Sequence, residues 1–310
     1  MKREIGWDAV TRDPSSVVTV GTFDGVHRGH QAILRYLLRR AKARNGTSTL
    51  LSFDPHPRSV VHDAPVPLLT TVAERAHILE DLGLDRLVIL PFTTTFAQIE
   101  APAYVEEVLV EQIGLQEIAV GYDHRFGARR EGDVDLLRQM GSQHGFTVDV
   151  IPAKEVDHQV ISSSAIREHL EQGRVSEATT MLGRPYQVKG TVEHGEGRGR
   201  HLGFPTANLR VSDPRKILPK NGVYATRVHL PDGRVHWGMM NIGRRPTFDG
   251  MNVTVEVHVL DMDEDLYGQI LHVEFLQRLR DEKRFSSPDD LAVQLAKDKR
   301  HCKTVVGAID

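Results

Sequence analysis

Val17-Val18-Thr19-Val20-Gly21-Thr22-Phe23-Asp24-Gly25-Val26-His27-Arg28-Gly29-His30 is the stretch whose reading decides the fold of this chain. An apolar, β-branched run enters a turn with glycine at 21, 25 and 29, and an amphipathic segment follows, as at the opening of a βαβ nucleotide-binding unit. Val17 to Val20 reads as a buried strand. The helix expected from Gln31 to Arg44 sets Ile33, Leu34, Leu37, Leu38 and Ala41 on one stripe. The first N–H groups of a helix lack internal partners and carry partial positive charge, so an anion belongs where this helix begins. His27 and His30, three apart at that entrance, are expected to point to the same side. Two imidazoles there can donate hydrogen bonds to a triphosphate and to the charge that grows as an α-phosphorus is attacked. Solvated turn residues are the plainer explanation of two histidines, and the glycine-rich strand-to-helix setting weighs against it.

Outward from this turn, strands and helices alternate. Ser48 to Phe53, Arg86 to Leu90, Glu117 to Val120 and Thr147 to Ile151 read as strands, with helices over Val72 to Leu82, Ala103 to Ile113 and Val134 to His144. That rhythm predicts a doubly wound parallel sheet, whose ligands bind beyond the carboxyl ends of the strands. Phe53-Asp54-Pro55-His56-Pro57 and Gly121-Tyr122-Asp123-His124-Arg125-Phe126-Gly127 each follow a strand directly. Next, Ile161-Ser162-Ser163-Ser164-Ala165-Ile166-Arg167 presents three hydroxyls and an arginine at a helix start. Serine favours an N-cap, and the same hydroxyls with the guanidinium can close over a phosphate.

Leu182-Gly183-Arg184-Pro185 breaks the helical period, which places a domain boundary between residues 184 and 185. Beyond it, Gln187 to Val192, Val223 to Leu230, Val235 to Ile242, Val253 to Leu260 and Ile270 to Leu276 are short strands, with a hairpin signal at Pro231-Asp232-Gly233. A small antiparallel barrel is expected, ended by a helix from Pro288 to His301. Two domains, 1–184 and 185–310, suit 310 residues of 40% apolar composition.

A formal charge of −3 gives no reason to expect nucleic acid or an anionic membrane as the main partner. The single cysteine, Cys302, cannot form an internal disulfide, the N-terminus has no apolar signal core, and no run is long enough to span a bilayer. A cytoplasmic protein is expected, with an oligomer neither required nor excluded.

His194-Gly195-Glu196-Gly197-Arg198-Gly199-Arg200-His201-Leu202-Gly203-Phe204-Pro205-Thr206-Ala207-Asn208 can wrap a phosphate chain with its backbone N–H groups. The residues alone leave an anion-binding loop and a flexible surface turn about equally supported. No Gly-Lys-Ser/Thr of a Walker loop occurs. In Val253-Thr254-Val255-Glu256-Val257-His258-Val259, alternation puts the valines in the core and Thr254, Glu256 and His258 on the other face, where a solvated strand residue is the plain explanation of Glu256.

His27-Arg28-Gly29-His30 resembles the HxGH signature of the nucleotidyltransferase superfamily, and the longer string resembles bacterial bifunctional riboflavin kinase/FAD synthetases. Gly203-Phe204-Pro205-Thr206-Ala207-Asn208, Asn241-Ile242-Gly243-Arg244-Arg245-Pro246-Thr247-Phe248 and Leu266-Tyr267-Gly268 resemble the same family, in its order and over nearly the whole chain. The resemblance implies an N-terminal nucleotidyltransferase domain that adenylylates FMN to FAD with release of pyrophosphate, and a C-terminal barrel kinase that phosphorylates riboflavin to FMN. It implies that Gly21, Phe23, His27, His30, Ser163, Ser164 and Arg167 bind ATP in the first domain, with His27 and His30 catalytic, and that Pro55, Asp123 and Phe126 meet the flavin. In the second it assigns ATP binding to Gly197, Arg198, Gly199, Arg200, Gly203 and Pro205, Mg²⁺ to Thr206 and Asn208, and the catalytic base to Glu256. Riboflavin, FMN, FAD and ATP are the implied partners. His124 stands where the family more often has Phe, and Ser164 where it commonly has Thr. A different phosphate acceptor for the first domain, such as a nicotinate or pantetheine phosphate, is the rival enzyme reading. A flavin-binding protein with decayed sites fits poorly, because the motif residues are present.

Overall fold

The computed structural model describes residues 1–156, 159–195, 199, 202–247 and 250–307. They form two compact units, Met1–Ser163 and Ser164–Asp310.

In the first unit, β2 (Ser16–Val20) is buried at every position and lies inside a six-stranded parallel sheet. Its neighbours are β3 (Thr47–Asp54) and β5 (Leu115–Gly121); β4 (Arg86–Pro91) and β1 (Lys2–Ile5) extend the β3 side, and β6 (Thr147–Ile151) the β5 side. The order β1-β4-β3-β2-β5-β6 reverses direction between β2 and β5, the topological switch at which such sheets open a crevice. The loops after β2, β3 and β5 therefore leave neighbouring strands at one edge. Helix α1 (Arg28–Arg44) buries Leu34, Leu37 and Ala41 against one face, with Val17, Leu50 and Leu87 in the same cluster. α2 (Pro57–Val61) and α3 (Val72–Asp81) follow, the latter opened by a capping box between Thr71 and Glu74. The other face is covered from α4 (Ala101–Ala103), which continues as a π-helical stretch Tyr104–Ile113, and from α5 (Val134–His144). A short antiparallel pair, β7 (Glu155–Val156) and β8 (Gln159–Val160), precedes the next helix.

The second unit begins with α6 (Ser163–Glu171) and α7 (Val175–Leu182) and closes a barrel. Its strands are β9 (Tyr186–Glu193), β10 (Ala207–Val211), β11 (Gly222–His229), β12 (Val235–Thr247), β13 (Gly250–Val259) and β14 (Ile270–Arg280), antiparallel throughout in the order β10-β13-β12-β11-β14-β9. Closure removes the open edges a sheet would otherwise expose. Helix α8 (Pro288–Gly307) packs on β11, β12 and β14, burying Cys302, Val305 and Val306 with Ala225 and Met239. Asp298 on α8 takes both Nε and Nη2 of Arg280 at 2.8–3.0 Å, a bidentate pair that fixes the helix rotation.

Several outcomes differ from the sequence reading. β1 was not expected, because Lys2-Arg3-Glu4-Ile5 has no apolar pattern; its one buried residue is Glu4, held by Arg86 of β4 at 2.6–2.8 Å. β10 was also missed, since its five residues follow directly on a Gly/Pro-rich loop. α1 begins at Arg28 rather than Gln31, and the helix expected over 103–113 is π-helical from Tyr104. By contacts the chain divides at 163/164, which groups α6 and α7 with the barrel: α7 lies against β9 and β14, and the Lys220 N–H donates to Leu170 O at 2.9 Å.

Candidate active sites

The first candidate site lies at the switch point, where β2 gives way to the turn 21–27. Phe23 (φ 47°) and Val26 (φ 40°) both adopt left-handed backbone, and for a β-branched residue that conformation is an outlier that must be held by its surroundings. Asp24 holds it: the carboxylate is fully buried and accepts from Leu69 N at 3.0 Å, Thr70 N at 2.8 Å and Thr70 Oγ1 at 3.1 Å. Gly25 N donates back to Thr70 Oγ1 at 2.9 Å, the buried Arg75 guanidinium donates to Thr22 O, and Ser163 Oγ donates to Asp24 O at 2.9 Å.

His27 is the N-cap of α1, and its Nδ1 accepts from His30 N at 3.3 Å. One of the helix's orphan N–H groups is thus taken, and those of the first two helical residues remain outside the helical ladder. The His27 and His30 rings stack with centroids 3.6 Å apart, and Phe23 stacks on the outer side of His30 at 4.4 Å. Burial, with the neighbouring His27 and Arg75 charges adding to it, keeps the His30 imidazole well below the usual histidine range, so it is neutral near pH 7. Its Nδ1 is buried with no hydrogen-bond partner among the described residues. A Cβ at Gly29 would sit 3.1 Å from the His27 ring, which would have to shift by a few tenths of an ångström.

Pro55 and Asp123 are exposed at the ends of β3 and β5, while Phe126 is 7% exposed. Phe126 stacks on His124 at 5.7 Å and meets Tyr104 at 5.8 Å; Tyr104 contacts Phe96, which contacts Phe53, Phe92 and Trp7. This aromatic array, drawn from six separate segments, was not visible in the sequence apart from Phe126. Burial pushes His124 down to about 4, with Arg130 adding to the effect and Asp123 opposing it. Ser164 and Arg167 lie on α6, in the second unit; Arg167 is buried.

The second candidate site is on the barrel. Register pairs Asn208 of β10 with Glu256 of β13, and Glu256 in turn with Asn241 of β12. Thr206 Oγ1 lies 3.4 Å from Glu256 Oε2. A cleft of about 180 Å³ opens beside Pro205 and Thr206, walled by Val192, Ala207, Val257 and Leu266 and rimmed by Asp263, Glu264, Asp265 and Tyr267. His194 stacks on Tyr267 at 3.9 Å. Gly195 and Gly199 are tight: a Cβ would come within 2.0 Å of the Asn208 side chain and 2.3 Å of Phe204 O. Gly203 takes φ 77°. Gly197, Arg198, Arg200 and Phe248 lie outside the described residues. His258, placed by alternation on the solvent face, is instead 7% exposed, its Nδ1 2.7 Å from Pro205 O. Burial lowers its imidazole below the usual range despite that bond.

Among the described residues no group of three or more His, Cys, Asp or Glu could cage a metal ion, and no helix is long and apolar enough to cross a membrane. The oxygens of Thr206, Asn208 and Glu256 nevertheless suit a hard divalent ion that arrives already carried by phosphates.

Residues 10–165 match the family model described as FAD synthetase, and residues 182–306 the model described as riboflavin kinase. The chain is 38% identical to the bifunctional riboflavin kinase/FMN adenylyltransferase of Haemophilus influenzae, covering 92% of each chain. It is 37% identical to that of Escherichia coli K12, covering 94% of this chain and 93% of the other. A crystal structure from Streptococcus pneumoniae described as a macrolide-efflux protein shares the fold along its length, with a TM-score of 0.89, 30% identity, and 98% and 99% of the two chains covered. The two models match in the order of the two units, and the relatives span the whole pair, so the chain belongs to the bifunctional riboflavin kinase/FMN adenylyltransferase family, with the FAD synthetase part N-terminal and the kinase part C-terminal.

Proposed function

We propose that the barrel transfers the γ-phosphoryl group of ATP to the 5′-hydroxyl of riboflavin, and that the parallel-sheet unit then transfers AMP from a second ATP to FMN, giving FAD and pyrophosphate. The observation that carries the reading is the pairing of Glu256 with Asn208 and Asn241 on its two flanking strands, with Thr206 beside it. A carboxylate paired with two asparagines and beside the Thr206 hydroxyl suits a base that takes the hydroxyl proton as that oxygen attacks the γ-phosphorus, with ADP as the leaving group. Thr206 and Asn208 would hold Mg²⁺, which when bound draws negative charge from the phosphates. The stretch 195–203, including Gly197, Arg198, Gly199, Arg200 and Gly203, would carry the ATP phosphates past Pro205, with the adenine in the cleft between Val192 and Tyr267.

In the first unit, the N-terminus of α1 with His27 and His30 would donate to the ATP phosphates while an FMN phosphate oxygen attacks the α-phosphorus and pyrophosphate departs. Gly21 and Phe23 would shape that side of the site, and Ser163 would bind the leaving phosphates. The isoalloxazine would lie against the aromatic array near Phe126, Pro55 and Asp123. We place the functional boundary between the two activities near 184/185, and the protein in the cytoplasm.

Chromatography of products from riboflavin with Mg-ATP tests the reading: FMN followed by FAD is expected, and unchanged riboflavin refutes it. Glu256→Gln should slow FMN formation by about 10²–10⁴, or about 3–5.5 kcal/mol, while FAD formation from supplied FMN stays near the parent rate. His30→Ala should do the reverse.

A further inference from the structure

The pairing of β10 with β13 starts at Ala207↔Val257 and continues at Asn208↔Glu256. Upstream stands Pro205, which has no N–H to donate to a ladder. Its carbonyl is nonetheless held, because His258 Nδ1 lies 2.7 Å from Pro205 O. A carbonyl oxygen only accepts, so Nδ1 carries the proton and Nε2 is the acceptor of this tautomer. Nε2 is buried and has no hydrogen-bond partner among the described residues. A histidine that is 7% exposed and satisfied at one nitrogen alone is an expensive way to fill a barrel wall, since an apolar side chain would leave no polar atom unpaired. The ring is further fixed edge-on to Phe204, at 5.4 Å and 67°.

We propose that His258 is a positioning residue for phosphoryl transfer: its Nδ1–H holds the Pro205 carbonyl just ahead of the β10 ladder and so fixes Thr206 beside Glu256. The inference rests on the kinase reading of this site. Its physical content is that Thr206 Oγ1, 3.4 Å from Glu256 Oε2, follows Pro205 by one residue, so freedom at the Pro205 carbonyl becomes displacement of the hydroxyl. A misplacement of about 1 Å near reacting groups can cost about 10²-fold in rate.

The test uses three variants of the full chain. His258→Asn keeps a donor close to the Nδ1 position, His258→Gln moves the donor to the Nε2 position, and His258→Leu removes it. The leucine and glutamine variants should lower the kcat of FMN formation by about 10–100-fold and raise the Mg²⁺ concentration for half activity. His258→Asn should stay within about threefold of the parent, and FAD formation from supplied FMN should be unchanged in all three. Independently of activity, hydrogen exchange at Ala207, Asn208 and Leu209 should speed up in the leucine and glutamine variants and not in the asparagine variant. Equal activity and equal exchange in all three variants overturn the proposal. So does an equal loss in all three with a matching drop in thermal stability, which would make His258 a packing residue. A parent protein that makes no FMN refutes the kinase reading, whereas unchanged exchange in His258→Leu refutes the tether whatever the reaction is.

Discussion

Replacing Gly29 by alanine separates the geometry of the histidine pair from the stability of the helix that carries it. Gly29 is the second residue of α1 and has ordinary helical backbone, so alanine should be tolerated by the main chain and would favour the helix by about 0.5–1 kcal/mol. Its Cβ, however, would lie 3.1 Å from His27 Cε1 and Nδ1, against 3.4–4 Å for ordinary contact, so the ring must move by about 0.3–0.5 Å. It has little room to move, because His30 stacks on it at 3.6 Å and Phe23 stacks on His30 at 4.4 Å. The displacement therefore passes along the stack. Scaled from about 10²-fold per 1 Å, FAD formation should fall by about 5–10-fold, or roughly 1–1.4 kcal/mol of transition-state stabilisation. The assay is initial-rate FAD formation from supplied FMN and ATP, with FMN formation from riboflavin as the internal control and thermal unfolding on the same preparation. A parent FAD rate in Gly29→Ala, or a loss shared equally by both activities, refutes the account of the pair.

Other perturbations read different parts of the molecule. Asp24→Ala removes three hydrogen bonds to a buried carboxylate and should destabilise the first unit by about 2–4 kcal/mol, read as a lower urea midpoint. Glu4 is held down to about 2 against an ordinary 4.5: although its burial alone would raise it, the hydrogen bonds from Lys2, Thr11 and Arg86 and the Arg86 charge outweigh that. A depressed carboxyl stabilises the fold above its unfolded pKa, so about 3 kcal/mol should be lost as pH falls from about 4.5 toward 2, and urea titrations of Glu4→Gln should lack that segment. His124, pushed down to about 4, favours the neutral form in the folded state, so stability should fall as pH drops from about 6.5 to 4; His124→Phe should flatten urea midpoints over that window. A fragment beginning at Ser164 should unfold at higher urea than one beginning at Pro185, because α7 buries Val175, Ala178, Met181 and Leu182.

The legible parts of this chain were those written in local pattern. β2 and α1 declare themselves through a β-branched run followed by a 3.6-residue stripe, and both sit where that pattern put them apart from three residues at the start of α1. The barrel strands are equally local, as alternation between turn residues. What could not be read are elements whose stability comes from a partner far along the chain. β1 is specified by Glu4 meeting Arg86 across 82 positions, and β10 takes its place between β9 and a ladder to β13 about fifty residues on. The aromatic array is likewise a tertiary object, since Trp7 follows β1, Phe53 lies on β3, and Phe92 and Phe96 both follow β4, and these three strands are neighbours in the sheet.

The same division runs through the two sites, and it has a mechanical consequence. His27, His30, Thr206, Asn208 and Glu256 stood in recognisable strings, and so did Asp24 and His258, but the contacts that hold the sites were not legible there: Asp24 answers to Leu69 and Thr70, Arg75 to Thr22, and His258 to Pro205. In the first site, the turn 23–26 stores left-handed backbone at Phe23 and Val26, at a cost of about 1–3 kcal/mol each. Three buried tethers, at Asp24, Thr70 and Arg75, oppose that strain, so the stacked histidines are presented by a turn that cannot relax without unmaking several hydrogen bonds at once. In the second site, one buried imidazole does the corresponding work by holding the Pro205 carbonyl just ahead of Thr206. Weakening a tether should therefore lower the rate before it unfolds the chain, whereas removing a motif side chain should abolish one reaction and leave its fold intact.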